Sequence, residues 1–310
     1  MQEKQKNMSR RQFLNSAMVA TAAGATAMAA YVPAASAKVV TPLPEVLTLA
    51  PARPHRQDAP VSLLDEIQER GTLRVGMTLQ FEPQMYRDES GEPAGYDVEL
   101  MKLMAADLGS GGVELDIQDQ EFDGLIPALL AGKVDIISVG LVGRPGGRLE
   151  TMWFSTPYVP YQQVLIVPAD STVTDVAELN NADAKITALT GSTAAGLAAR
   201  LFPEATLVEL QQQPALLEVA SGRADGGIVE AYLAVPFVEE NPTAKILNPE
   251  EPFSLEFGSY AVPRGDLDWV TWVNGWLRYR KGQGVLQALY DQIIGPSLGD
   301  TPVYKEIPAY

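Results

Sequence analysis

The sequence predicts an α/β protein with mainly parallel sheets. From about residue 61 to residue 295, short apolar segments of strand length alternate with longer segments whose apolar residues recur at helical spacing. Parallel strands need a crossover connection, usually a helix, so this alternation is typical of parallel sheets flanked by helices. With 310 residues, 46% of them hydrophobic and 20% charged, the chain is long enough and apolar enough for two packed domains.

The front of the chain, residues 1–37, has the anatomy of an export signal. It combines a cationic start, an apolar Ala-rich stretch and the sequence Ala35-Ser36-Ala37, which suits signal peptidase. The segment SRRQFL, residues 9–14, resembles a twin-arginine signal, and an ordinary secretory signal with two arginines is the alternative. We therefore expect a soluble periplasmic protein that is cleaved after Ala37.

Residues 38–60 contain five prolines and little periodicity, which predicts a tether without a core of its own. The only histidine, His55, falls in this tether, and the chain has no cysteine. Disulfides, a lipid anchor on cysteine, and Ser–His–Asp or Cys–His catalysis are therefore excluded. A transition-metal site would need carboxylates alone. The Gly-rich residues 109–112 follow a predicted helix rather than a strand, so they form no phosphate loop. We expect no cofactor and no bound metal.

The formal charge of −16 excludes two classes of partner. Four cations and one acid give residues 1–37 a charge of +3, so the cleaved chain is near −19. Nucleic acid and anionic lipid are poor partners for such a chain. No segment after the signal reaches the ~18 uninterrupted apolar residues of a membrane span, so we expect no membrane insertion after cleavage.

Two successive blocks of strand and helix patterns make up the predicted folded part. The first has strands at residues 73–75 and 134–139 and a helix at 97–108, with Asp97 as its N-cap or first-turn acid. The second block is a further α/β unit with the strands 164–167, 186–189 and 226–229 and the helical segments 173–179, 191–201 and 214–220. The tail, residues 259–295, adds one strand and two helices separated by Gly282-Gln283-Gly284.

Four segments between residues 71 and 158 resemble a known family. They are GTLRVGMTLQFEPQ (71–84), GEPAGYDVELMKLMAADLG (91–109), FDGLIPALLAGKVDII (122–137) and RPGGRLETMWFSTPY (144–158). Together they resemble the family 3 extracellular solute-binding proteins, most of which capture polar amino acids for ABC importers. The resemblance implies the two-lobe periplasmic binding-protein fold of type II, with a mainly parallel sheet and flanking helices in each lobe and two hinge crossings. It implies lobe 1 at residues 61–160 and 258–310 and lobe 2 at residues 161–257.

The resemblance also implies an arginine that grips the ligand carboxylate. Arg148, six residues before Phe154-Ser155, stands at that position, and its planar guanidinium suits a carboxylate. Arg144 is a rival, because the loop GLVGRPGGR (140–148) is one residue longer than usual in the family. Val142 and Arg144 stand where the family has hydroxyl residues, which weakens the case for a generic amino acid.

Four further residues, Ser192, Thr193, Glu230 and Phe81, complete the implied site. Gly191-Ser192-Thr193 precedes a predicted helix, so its free N–H groups and the helix dipole favour a carboxylate, and a plain N-cap by Ser192 or Thr193 is the alternative. Glu230 ends SGRADGGIVE (221–230), where the family has the Asp that anchors the ligand ammonium. Phe81 matches the aromatic residue that stacks on the ligand, with an ordinary interior Phe as the alternative.

The sequence favours a binding protein over an enzyme. Its predicted partners are a small carboxylate-bearing solute, either an amino acid or an analogue, and an inner-membrane ABC permease. The first alternative is an enzyme on the same scaffold, resembling the periplasmic cyclohexadienyl dehydratases, with a protonated Glu230 as its acid. The second is a ligand-sensing subunit that presents its closed form to a receptor.

Overall fold

Strands and helices alternate along residues 61–308, the part of the chain that this computed structural model describes. The predicted signal at residues 1–37 and the predicted tether at 38–60, with His55, lie outside the described residues. The helices are α1 (Leu63–Arg70), α2 (Tyr96–Asp107), α3 (Leu125–Leu130), α4 (Arg148–Thr151), α5 (Thr193–Leu201), α6 (Gln212–Ala220), α7 (Ala231–Glu240), α8 (Leu267–Gly282), α9 (Val285–Ile293) and α10 (Gly295–Leu298). The strands are β1 (Thr72–Met77), β2 (Gln80–Phe81), β3 (Met85–Arg87), β4 (Pro93–Ala94), β5 (Glu114–Asp119), β6 (Ile136–Leu141), β7 (Met152–Phe154), β8 (Val159–Pro168), β9 (Lys185–Leu189), β10 (Thr206–Leu210), β11 (Gly226–Glu230), β12 (Ala244–Leu247) and β13 (Ser254–Pro263).

A large mixed sheet runs through the described residues in the order β10-β9-β11-β8-β13-β6-β1-β5. The strands β1, β5 and β6 are parallel to one another, as are β9, β10 and β11. In this sheet the antiparallel pairs all involve the central strands β8 and β13, which pair with each other and with β6, β7, β11 and β12. A separate small sheet, β2-β3-β4, is antiparallel. The predicted α/β fold is therefore confirmed, with parallel strands at both ends of a sheet that is mixed as a whole.

The central pair β8 and β13 joins the two ends of this sheet. Residues 254–258 of β13 pair with β8, whereas residues 259–263 pair with β6 and β7. We call β1 to β7 with α1 to α4 and α8 to α10 the first half, and β9 to β12 with α5 to α7 the second half. The chain therefore crosses between the halves twice, once along each strand of the pair.

Most predicted elements lie within a few residues of their observed positions. The helix predicted at residues 97–108 is α2, and Asp97 lies in its first turn rather than at its N-cap, which is Gly95. The segment 173–179 differs from its predicted helix, since it forms only a short 3-10 helix, Val176–Leu179, that is N-capped by the side chain of Asp175. No helix within residues 61–308 is long and apolar enough to cross a membrane.

Candidate ligand-binding site

A small cavity lies between the two halves, where several parallel strands end. This ligand cavity has a volume of about 30 Å³, which is room for one or two water molecules. Crevices at the carboxyl ends of parallel strands are the usual ligand sites of α/β proteins. Its lining consists of Phe81, Phe122, Val139, Gly140, Leu141, Val142, Arg148, Tyr161, Leu189, Ser192, Thr193, Glu230 and Tyr232.

Arg148 supplies the positive charge of the ligand cavity. The side chain is only 7% exposed, and its guanidinium donates hydrogen bonds to the carbonyl oxygens of Val142 (3.1 Å) and Gly191 (2.9 Å). It also lies over the ring of Phe122, with its central carbon 5.9 Å from the ring centroid. Burial, together with nearby Arg144, lowers the pKa of Arg148 to about 10. The group therefore remains a cation at neutral pH.

Arg144, the predicted rival, lies outside the lining of this cavity. Its side chain is half-buried, and its Nη1 atom packs against α5 at Gly196, 2.8 Å from the point where a Cβ on that glycine would stand. The structure thus brings Arg148, and not Arg144, to the cavity together with the other four predicted site residues.

Ser192 and Thr193 begin helix α5 at the wall of the ligand cavity. Ser192 is the N-cap, because its hydroxyl accepts a hydrogen bond from the backbone N–H of Ala195 (3.1 Å). The hydroxyl of Thr193 donates to a carboxylate oxygen of Glu256 at 2.7 Å. The capping role that was the alternative for Ser192 is therefore present, and the same residue also lines the cavity.

Glu230 supplies the acidic group of the ligand cavity. It is the last residue of β11 and precedes α7, and no other described side chain donates a hydrogen bond to it. Burial raises the pKa of its carboxyl to about 7, the charge of Glu256 acts in the same direction, and contact with its own backbone N–H opposes both. The carboxyl is therefore close to half-ionised at neutral pH.

Phe81 forms an apolar wall of the cavity and is also part of the core. It is 5% exposed, and its ring lies 6.1 Å from that of Phe122 at a tilt of 41°. The two interpretations drawn from the sequence, a ligand-stacking ring and an interior Phe, are both compatible with this position.

Two polar residues behind the cavity were missed by the sequence analysis. Glu256 on β13 accepts hydrogen bonds from Thr193 (2.7 Å) and from the side-chain amide of Gln163 (3.3 Å). Gln163 is fully buried on β8 directly opposite Glu230, and its amide oxygen has no partner among the described residues. Both residues lie within strands, where a sequence pattern shows which face they occupy but not which distant side chain they meet.

Tyr161 and Tyr232, which stack at 5.8 Å, form another wall that the sequence did not reveal. The hydroxyl oxygen of Tyr161 lies 1.8 Å from where a Cβ on Gly140 would stand, and Gly140 has a φ of +62°. Only glycine fits there, because any side chain would collide with the tyrosine and would also strain the backbone. Gly140 thus lets Tyr161 approach the cavity.

A buried acid, Asp97, does not line the cavity but is connected to its wall through a chain of hydrogen bonds. Asp97, fully buried on α2, accepts hydrogen bonds from Ser138 (2.7 Å), Tyr158 and Gln84, and Gln84 also contacts the hydroxyl of Tyr161. Burial raises the pKa of Asp97 to about 6, and these hydrogen bonds limit the rise. The network links the wall of the cavity to the core of the first half.

The fold and the cavity define a class, namely the two-lobe proteins that bind a small solute between their lobes. Within that class, the chain belongs to the bacterial extracellular solute-binding proteins, family 3, which it matches over residues 73–296. The family resemblance stated from the sequence is therefore confirmed.

Three relatives illustrate the family. A probable histidine-binding protein of Neisseria gonorrhoeae is 28% identical over 221 residues, which are 70% of this chain and 81% of that protein. The cyclohexadienyl dehydratase of Pseudomonas aeruginosa is 25% identical over 229 residues, 73% of this chain and 84% of the enzyme. The crystal structure of an ancestral amino acid-binding protein, a precursor of cyclohexadienyl dehydratase, has a TM-score of 0.68 and 32% identity and covers 74% of this chain and 99% of its own. The fold is therefore that of type II, and the named relatives are mainly amino-acid-binding proteins rather than enzymes.

Proposed function

We propose that this protein is the substrate-binding component of an ABC importer and captures an amino acid or a closely related carboxylate. The observation that carries the proposal is that a buried cation, Arg148, and a carboxyl group, Glu230, face the same cavity. A zwitterion fits such a pair, because each of its charged groups needs a partner of opposite charge in a site without water. Arg148 holds the ligand carboxylate, and Glu230 holds the ammonium.

The remaining site residues have supporting roles in this proposal. The N-terminus of α5, with Ser192 and Thr193, adds backbone N–H donors and the positive end of the helix dipole on the carboxylate side. Phe81 packs against the apolar part of the ligand. Arg144 contributes positive charge from outside the cavity and no direct contact.

Binding is coupled to closure of the two lobes, which we assign to residues 61–160 with 258–310 and to residues 161–257. A cavity of about 30 Å³ is too small to admit an amino acid, so the lobes separate to load and close around the ligand. A ligand that binds the closed form more tightly than the open form by about 5.5 kcal/mol moves the ratio of closed to open molecules from 1:99 to 99:1. The closed form is then recognised by an inner-membrane permease.

The site of action is the periplasm. The membership of an extracellular family supports this location, and the signal at residues 1–37, of the twin-arginine type, provides the export route. Cleavage after Ala37 releases the chain with its proline-rich tether.

A thermal-shift screen of the cleaved chain with each common amino acid tests the proposal. At least one amino acid should raise the melting temperature, whereas its carboxamide and its desamino analogue should not, because each lacks one of the two charges. If no amino acid raises the melting temperature, or if the carboxamide stabilises the protein equally well, the zwitterion assignment is contradicted.

A second candidate, a dehydratase, is favoured by one specific observation. The pKa of about 7 at Glu230 leaves a protonated carboxyl available as a general acid at neutral pH, and one relative is a cyclohexadienyl dehydratase. Incubation with prephenate or arogenate, monitored for the aromatic product, separates the two functions. Turnover that is lost in Glu230→Gln while the substrate still binds would establish the enzyme, and the absence of any product leaves the transport function.

A further inference from the structure

A second cavity lies outside the ligand cavity and is an order of magnitude larger, about 330 Å³ against about 30 Å³. Its walls come from both halves, namely from Gln80, Glu82 and Pro83, the start of α6, the helix α7, and the segment from the end of α9 into α10. A volume of this size falls in the range of small-molecule sites. The two cavities share no lining residue among those described.

The short strand β2 separates the two cavities. Successive side chains of a strand point to opposite faces, and accordingly Phe81 lines the ligand cavity whereas Gln80 lines the second cavity. An occupant of the second cavity would therefore be distinct from the ligand held by Arg148 and Glu230.

The floor of the second cavity is apolar. Leu216, Leu233 and Phe237 line it, and each is buried in the structure. Such a floor favours an occupant with a hydrocarbon body, since the apolar surface of the occupant leaves water when it packs there.

The charged residues that line the second cavity are both acidic. Glu82 and Glu240 are exposed at its edge and are the only charged residues in its lining within residues 61–308. Neither of them forms an ion pair or a side-chain hydrogen bond with another described residue. The carboxylates therefore favour a cationic occupant.

A buried acceptor points to the same chemistry. Gln212, the first residue of α6, lines the cavity and is only 3% exposed, and its amide oxygen has no hydrogen-bond partner among the described residues. A buried acceptor without a partner is destabilising, and a donor on an occupant removes that cost. An ammonium group has three N–H donors and no acceptor, so it suits both the amide oxygen and the carboxylates.

We propose that the second cavity is a binding site for an organic ammonium ion, a primary amine carried on an aliphatic or aromatic body. The body packs on Leu216, Leu233 and Phe237. The ammonium group balances the charge of Glu82 and Glu240 and donates to the amide oxygen of Gln212.

Calorimetric titration of the purified chain with hexylammonium tests this site, with hexanoate and hexanol as matched probes of opposite and zero charge. We expect saturable binding of hexylammonium and weaker binding of both controls. The double variant Glu82→Gln/Glu240→Gln should weaken hexylammonium binding by about fivefold or more, since exposed ion pairs contribute up to ~1 kcal/mol each. Both residues are exposed, so the substitutions leave the core intact.

Two control variants make the test specific. Glu239→Gln removes an exposed acid from the same helix α7 outside the cavity lining and should leave the affinity unchanged. Glu230→Gln alters the ligand cavity and should also leave it unchanged. The proposal is overturned if hexylammonium does not saturate, if hexanoate binds equally well, or if Glu230→Gln weakens the amine while Glu82→Gln/Glu240→Gln does not.

Discussion

The guanidinium of Arg148 donates a hydrogen bond of 2.9 Å to the carbonyl oxygen of Gly191, and this bond joins the first half of the protein to the second. The same guanidinium donates to the carbonyl oxygen of Val142 in its own half. Arg148 thus already bridges the cleft through backbone carbonyls. A ligand carboxylate would replace these neutral acceptors with a charged one, and hydrogen bonds to ionised acceptors are roughly twice as strong.

We expect the stability of the unliganded protein to depend on the ionisation of Glu230. Its pKa is raised to about 7 in the folded state from an ordinary value of 4.5, so the folded protein binds more protons than the unfolded chain between these values. The protonated carboxyl of Glu230 therefore stabilises the folded state, and this contribution is fully present below pH 4.5 and is lost as the pH rises through about 7. At pH 8 the free energy of unfolding in urea should therefore be about 1–3 kcal/mol larger for Glu230→Gln than for the wild type. Near pH 4.5 the two proteins should be equally stable. An unchanged difference across this range would show that Glu230 keeps its ordinary pKa.

Glu256, which lies behind the cavity, should also affect the pH dependence of stability, because it acts on the pKa of Glu230. Its negative charge raises the pKa of Glu230, so Glu256→Gln should move the midpoint of the pH dependence of stability to lower pH. Melting curves recorded from pH 4 to 9 provide the measurement. The exposed residue Glu251 offers a matched control, and Glu251→Gln should leave the midpoint in place. A midpoint that does not move in Glu256→Gln would exclude the electrostatic contact.

The substitution Asp97→Asn should destabilise the first half. The carboxylate accepts hydrogen bonds from Ser138, Tyr158 and Gln84, and an asparagine would direct its own N–H₂ donors at one of these groups. We expect a loss of about 1–3 kcal/mol in the free energy of unfolding near pH 5, where the raised pKa of Asp97 keeps its carboxyl largely protonated, because a buried polar group is left without a partner. At pH 8 the loss should be smaller, because the substitution also removes a buried charge. Urea denaturation measures it, and Ser138→Ala, which removes only one of the three donors, should lose less. Equal stability of Asp97→Asn and the wild type would mean that the network contributes nothing.

Lobe closure should be visible in solution. Once an amino acid has been found that raises the melting temperature, small-angle scattering should give a smaller radius of gyration with this ligand than without it, as hinge closure requires. A compound that does not raise the melting temperature serves as the control. A tight ligand that leaves the radius unchanged would contradict binding by closure.

The sequence predicted the parts of the fold whose patterns are local. Strand β9 and helix α5 lie close to their predicted bounds, because an apolar segment, a glycine turn and an Ala-rich helical pattern follow one another there. The small sheet of β2, β3 and β4 was not predicted, since strands of two or three residues are too short for periodicity to detect. Helix α7 was also missed, and its internal Pro236 argues locally against a helix.

The candidate site was predictable only in part, for a physical reason. Arg148, Ser192, Thr193 and Glu230 come together because each follows the end of a strand or lies close to one, and the family resemblance indicated these positions. The choice between Arg148 and Arg144 depends on how one loop packs against α5, which no pattern within the loop determines. The roles of Glu256 and Gln163 depend on strand pairing over long separations, as does the fit of Tyr161 against Gly140.

Calorimetric titration of Arg148→Ala and Arg144→Ala tests the central claim most directly. The claim is that Arg148 holds the carboxylate of an amino acid in the cavity shared with Glu230. With the amino acid that stabilises the wild type, Arg144→Ala should bind within a few-fold of the wild-type affinity. Arg148→Ala should lose about 2–5 kcal/mol of binding free energy, the usual cost of removing one partner of a desolvated charge pair. Wild-type affinity in Arg148→Ala, or a larger loss in Arg144→Ala, would contradict the account.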